Sequence, residues 1–172
     1  MAVLPPISSK PPSPTMDHFQ TDTKLTVNIY TKRKGLTRHQ VTVDSTSDTL
    51  RVLVLLPDTK EAFLVHLKLS SGVVARPVLR VGASSGKVEV ELVKESPGRW
   101  ASAGSGLEQH LWWGPSTDLE VHYRPWRLAR LEQLTSNIKL MVLCPPPGTL
   151  LSVPPGHHVH VRYESSSCSL VK

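Results

Sequence analysis

Val88, Val90 and Leu92 alternate with Lys87, Glu89 and Glu91 in the segment Gly86-Lys87-Val88-Glu89-Val90-Glu91-Leu92-Val93-Lys94-Glu95. A period of two places the apolar side chains on one face of an extended chain and the charges on the other. The segment therefore reads as a half-buried β-strand. Ser96-Pro97-Gly98 stops it, and Trp100 follows as a bulky aromatic that returns to the core.

The same period recurs upstream. Leu25, Val27 and Ile29 alternate with Thr26, Asn28 and Tyr30, and Val41 and Val43 alternate with Thr42 and Asp44 beyond a Lys34-Gly35 turn. These two runs are predicted to pair as a hairpin. Leu50-Arg51-Val52-Leu53-Val54-Leu55-Leu56 is apolar on both sides, as a central strand would be, and ends at Pro57-Asp58. Phe63, Val65, Leu67 and Leu69 make another alternating run, and Val73 to Val81 carries Pro77, which suits an edge or a bulge. Six or seven short strands with frequent turns, and no helical periodicity, predict an all-β fold, a seven-stranded antiparallel β-sandwich.

The flanks differ in texture. Residues 1–16 hold Pro5, Pro6, Pro11, Pro12 and Pro14 among serines, which predicts a disordered, polyproline-like linker. Residues 106–122, with Trp112-Trp113-Gly114-Pro115, read as a connector. Two adjacent tryptophans in an extended segment cannot both face one core. Residues 123–172 form a second β-like section: Trp126-Arg127-Leu128, Ile138 to Leu143, the Cys144-Pro145-Pro146-Pro147-Gly148 turn, and a strand at Val159-His160-Val161-Arg162. With few strands and no closing partner, this section should be marginal by itself.

The chemistry readable from residue types is sparse. At 172 residues there is room for one ordinary domain with extensions. The net charge of +6 raises the question of nucleic acid, but the basic residues are scattered. The one dense run, Lys32-Arg33-Lys34, falls at a turn without interleaved aromatics, so nucleic-acid binding is not expected. Cys144 and Cys168 have neither a disulfide framework nor metal-ligand spacing, which suits a reduced, cytoplasmic setting. His158 and His160 would share a strand face but lack a third ligand, so they read as an incidental surface pair. No serine sits in a nucleophile elbow, and Gly82-Ala83-Ser84-Ser85-Gly86 leads into a strand instead of a phosphate-binding helix. The Leu50–Leu56 run is too short to span a bilayer, and Pro5-Pro6 interrupts the apolar start, so neither a transmembrane segment nor a signal peptide is expected. No catalytic, cofactor-binding or metal-ligating residue is assigned.

Two resemblances add to this reading. Phe19-Gln20-Thr21-Asp22-Thr23-Lys24-Leu25-Thr26-Val27 resembles the opening of CS domains, seven-stranded sandwiches related to small heat-shock and co-chaperone folds, although the usual tryptophan near His18 is missing. Gly86 to Leu92 with Trp100 is similar to the late strands and closing tryptophan of that family, so the CS-like part covers residues 17–105. Leu140 to Leu143, then Pro145-Pro146-Pro147-Gly148-Thr149 and Val153 to Val159, is similar to the first strands of the flavin-binding barrel of cytochrome b5 reductases.

This domain order resembles the cytochrome b5 reductase 4 family, in which a haem-binding cytochrome b5 domain, a CS domain and a b5 reductase are fused. The resemblance implies electron transfer from NAD(P)H through FAD to haem in the intact family, with endoplasmic-reticulum association. The haem domain's His-Pro-Gly-Gly signature is absent, and Leu170-Val171-Lys172 resembles the residues just before the family's flavin-binding motif. The expectation is therefore a truncated product or gene-model fragment, with 123–172 as an incomplete barrel. It would contain no cofactor of its own, and its protein partners would be redox domains of the same polypeptide. The alternative is a stand-alone CS interaction module that binds a chaperone.

Overall fold

The computed structural model describes residues 12–57, 59–157 and 159–162, and it is all-β. Its strands are β1 (Thr15–Gln20), β2 (Lys24–Tyr30), β3 (Val41–Ser45), β4 (Thr49–Leu55), β5 (Glu61–Leu69), β6 (Val73–Gly82), β7 (Lys87–Lys94), β8 (Gly104–Gly106), β9 (Trp112–Pro115), β10 (Arg127–Gln133), β11 (Lys139–Cys144) and β12 (Thr149–Leu150). One sheet has the order β1-β2-β7-β6. A second runs β12-β3-β4-β5-β8, with β9 also paired to β5, and β10-β11 form a separate hairpin. All pairings are antiparallel.

The two large sheets pack through the residues that the alternation singles out. Leu25, Val27 and Ile29 of β2 stand opposite Leu92, Val90 and Val88 of β7. They face Val41, Val43, Leu50, Val52, Val54, Phe63, Val65 and Leu67 of the other sheet in one buried cluster. Because the side-chain period is two, a one-residue slip would turn every one of these residues outward, so the hydrophobic pattern itself sets the register. Trp100 packs against this cluster, half-buried. β4 is central, between β3 and β5. β6 is the last strand of its sheet, and its pairing with β7 shifts register between Val74 and Val78, around Pro77.

Several expectations are corrected. β2 and β3 do not form a hairpin: they belong to different sheets. The ten residues between them, 31–40, cross from one sheet to the other through positive φ at Lys32 and Gly35 and a 3₁₀ turn at Arg38–Gln40. That is too long for the tight turn a hairpin prefers. Pairing also begins before Lys24, because Thr15 and Met16, within the stretch expected as linker, stand opposite Tyr30 and Ile29. Trp112-Trp113-Gly114-Pro115 is a strand, paired with Glu61 to Leu64. Trp113 packs on the core, and its neighbour Trp112 points to the opposite face. Val159 to Arg162, expected as a strand apart from the undescribed His158, has no regular structure among its described residues. The second β-like section does find a partner, since β12 pairs with β3.

Candidate functional site: a seam on the outer sheet

The edge of β3 is where the C-terminal section meets the sandwich. Thr149 and Leu150 stand opposite Asp44 and Val43. The Ser45 N–H donates to the Gly148 carbonyl at 3.0 Å, and the Thr149 hydroxyl donates to Asp44 Oδ1 at 2.5 Å. Arg124 Nε lies 3.9 Å from the same carboxylate oxygen. Asp44 is only 7% exposed, so this pairing is what makes its burial tolerable. Gly148 has φ +85°, and a Cβ there would collide with the Ser45 carbonyl. Glycine is thus required for the close approach. Farther along, Ser152 Oγ and His39 Nδ1 are 2.7 Å apart, and Leu150 packs against the core.

Residues 116–124 run as a strap over the outer face of the same sheet. Two adjoining open cavities of about 260 and 280 Å³ lie beneath it. Arg51, Glu120, Val121 and His122 line both. Burial pushes the Arg51 guanidinium down from its ordinary value, against the opposing pull of Asp44 and Glu120. Burial also lowers His122, helped by Arg51 and Arg124 and opposed by Asp44. Ala62 and Leu64, which alternate with core residues and so point outward, are buried all the same.

The far edge of β5 has its own device. β8 pairs with Leu67 to Leu69 and β9 with Glu61 to Leu64, which leaves His66 in the gap between them. There the His66 carbonyl accepts from the Leu107 N–H at 2.9 Å, and the His66 N–H donates to the ring Nδ1 of His110 at 3.1 Å. An imidazole nitrogen replaces the carbonyl that a continuous strand would have supplied. The His66 ring Nδ1 in turn contacts the Glu108 carbonyl at 3.0 Å.

The charged face of β7 is a solvated ladder. Lys87 reaches Glu89 at 3.0 Å, Arg80 reaches Glu89 at 2.8 Å, and Lys24 reaches Glu91 at 2.8 Å. Lys32-Arg33-Lys34 lies in the inter-sheet crossing, with Arg33 3.8 Å from Glu61. His158 and Cys168 lie outside the described residues, and Cys144 is a free thiol. Among the described residues no group of three or more His, Cys, Asp or Glu could hold a metal ion, and no helix is long and apolar enough to cross a membrane. Sequence reasoning missed Asp44, Thr149, Arg51, His66, His110 and His122. The available signals were an acid on a core-forming strand for Asp44 and the Pro-Gly-Thr turn ahead of Thr149; the others depend on contacts between distant segments.

The arrangement pairs a downstream segment in register with the edge of the sheet and gives a buried carboxylate a hydroxyl donor and a cationic neighbour. The all-β architecture matches that of solved CS-b5R domains. The CS-b5R domains of human Ncb5or, in an NAD+ form, superpose with a TM-score of 0.79 at 34% identity, over 83% of this chain and 40% of that one. Cytochrome b5 reductase 4 from Rattus norvegicus is 35% identical over 162 residues, 94% of this chain and 31% of the relative. The Homo sapiens protein of that name is 34% identical over the same shares of each chain. No protein-family model matches. The chain is a homologue of cytochrome b5 reductase 4 over about 94% of its own length, and it spans about 31% of the length of these curated relatives.

Proposed function

We propose that this chain carries the CS module and the opening of the flavin-binding barrel of a cytochrome b5 reductase 4-type oxidoreductase, and that its sandwich is a rigid base for that barrel. In this reading residues 17–105 are the CS module, 106–122 the connection, and 123–172 the first part of the barrel. The observation that carries it is the β12–β3 seam, where Gly148, Thr149 and Asp44 tie the reductase-like section to the sandwich. Electron flow from NAD(P)H through FAD to haem belongs to the intact family. The present residues supply orientation, and the partners of the seam are redox domains of the same polypeptide. The setting is cytoplasmic, with endoplasmic-reticulum association as in the family.

The test is direct. The purified chain is mixed with FAD, desalted, and assayed for flavin absorbance and for NADH-dependent ferricyanide reduction. The expected result is a colourless, inactive protein that nonetheless shows the seam by amide exchange at Ser45. Stoichiometric flavin retention would overturn the assignment of the cofactor sites to other parts of the family protein.

One observation favours a second reading, a protein-interaction module of co-chaperone type. β1 is the terminal strand of its sheet, and Phe19 on it is 54% exposed. A regular edge with an exposed aromatic accepts an added strand. Titration with a chaperone of the ninety-kilodalton heat-shock class decides it, and the absence of a saturable signal removes this reading.

A further inference from the structure

We propose that His110 is a proton-operated latch. In its neutral form it closes the gap between β8 and β9, and its protonation frees the turn 107–111 and loosens the 116–124 strap over the outer face of the β12-β3-β4-β5-β8 sheet. The geometry is specific about the protonation state. His110 Nδ1 accepts the His66 N–H at 3.1 Å, which requires that nitrogen to carry no proton. A proton on Nδ1 would set two donors face to face and leave a ladder amide without an acceptor.

The surroundings are built around that ring. A Cβ on Gly106 would lie 2.7 Å from the His110 ring, so glycine lets the imidazole lie against β8. The turn it holds contains positive φ at two non-glycine residues, Gln109 (56°) and Leu111 (59°). Backbone of that kind persists only where its surroundings hold it. Gln109 also accepts the Glu120 N–H at 3.4 Å, which links the turn to the strap. The titratable group facing His110 is His66 from β5; Glu108, on the same turn as His110, lines with His66 the cavity that Arg51, Glu120 and His122 also line. Burial, with the neighbouring His66, lowers the His110 pKa from 6.5, so the latch is closed at neutral pH and opens below it. This inference concerns the sandwich alone and stands whether or not the oxidoreductase reading does.

The experiment is NMR on the full chain from about pH 8 to about pH 5, the range over which histidine changes charge. It follows the His110 ring and the exchange protection of the His66, Leu107 and Glu120 amides, corrected for intrinsic rate. The expected result is a His110 midpoint below 6.5 and a loss of roughly tenfold or more in His66 protection with the same midpoint, while the Val90 amide is unmoved. His110→Asn keeps an acceptor near the same place and cannot titrate, so its His66 protection should be flat with pH. Wild-type His66 protection that ignores the His110 titration overturns the latch, as does a pH dependence retained in His110→Asn. Should that variant not fold, the wild-type titration alone decides.

Discussion

The ammonium of Lys94 sits 4.7 Å from the centroid of the Trp100 ring, at the end of β7 and 5% exposed. It donates to Gln20 Oε1 at 2.6 Å, to the Thr21 carbonyl at 2.8 Å and to the Gly98 carbonyl at 2.5 Å. Gln20 closes the circuit, accepting the Trp100 N–H at 2.9 Å and donating to the Trp100 carbonyl at 2.7 Å. One cation thus joins the end of β1, the turn after it, the end of β7 and the closing tryptophan. Lys94→Met keeps the stem but abandons three oxygens. A loss of about 2–4 kcal/mol is expected, from unsatisfied acceptors and the missing cation–π contact. Urea unfolding followed by Trp fluorescence measures it.

Gly148→Ala should undo the seam without unfolding the sandwich. The added Cβ meets the Ser45 carbonyl, and φ +85° disfavours any L side chain. The expected outcome is faster amide exchange at Ser45 and faster proteolysis within residues 123–157, while the Val27 and Val90 amides keep their protection. Equal loss of protection at those core positions would show that the seam supports the whole fold.

Substitutions in the core and on the hairpin should separate sharply. Leu92 is fully buried against the opposite sheet, and Leu92→Ala should cost about 2–5 kcal/mol. Leu131 on β10 is 55% exposed, and Leu131→Ser should change stability by no more than about 0.5 kcal/mol. The same substitution should raise solubility, because Leu128, Leu131 and Met141 are all exposed on this hairpin. Denaturation midpoints and a solubility titration check the pair.

Acid should weaken the ladder on β7 in a defined window. Hydrogen bonds from Lys87 and Lys24 hold the Glu89 and Glu91 carboxyls below their ordinary 4.5. A depressed folded-state pKa means that the unfolded chain binds protons first as pH falls. The contribution is complete above 4.5 and disappears as pH drops through the lowered values. The partners Lys24 and Arg80 are about half exposed, so each pair contributes under about 1 kcal/mol. In Glu91→Gln the stability profile should be flatter below pH 4.5 than in the wild type, by thermal melts across that range.

The β2, β5 and β7 strands were readable because a two-residue alternation is a local signal and burial on one face follows from it. The β2–β3 crossing was not. A polar, glycine-containing segment looks the same locally whether the next strand pairs beside the first or across the core. β9 escaped for a related reason: Trp112 to Pro115 is too short for periodicity to show, and only the unpaired edge of β5 makes it a strand.

The alternation repeated along the strand-like runs determined an all-β sandwich, and the order of motifs pointed to cytochrome b5 reductase 4. Those depend on residue type and spacing, which the chain carries along its length. Tertiary structure alone decided that Asp44 would meet Thr149, 105 residues away, and that His110 would fill the gap at His66, 44 residues away. Such pairs leave no local pattern, because the partner of a buried polar group is whatever the completed fold brings within hydrogen-bond reach.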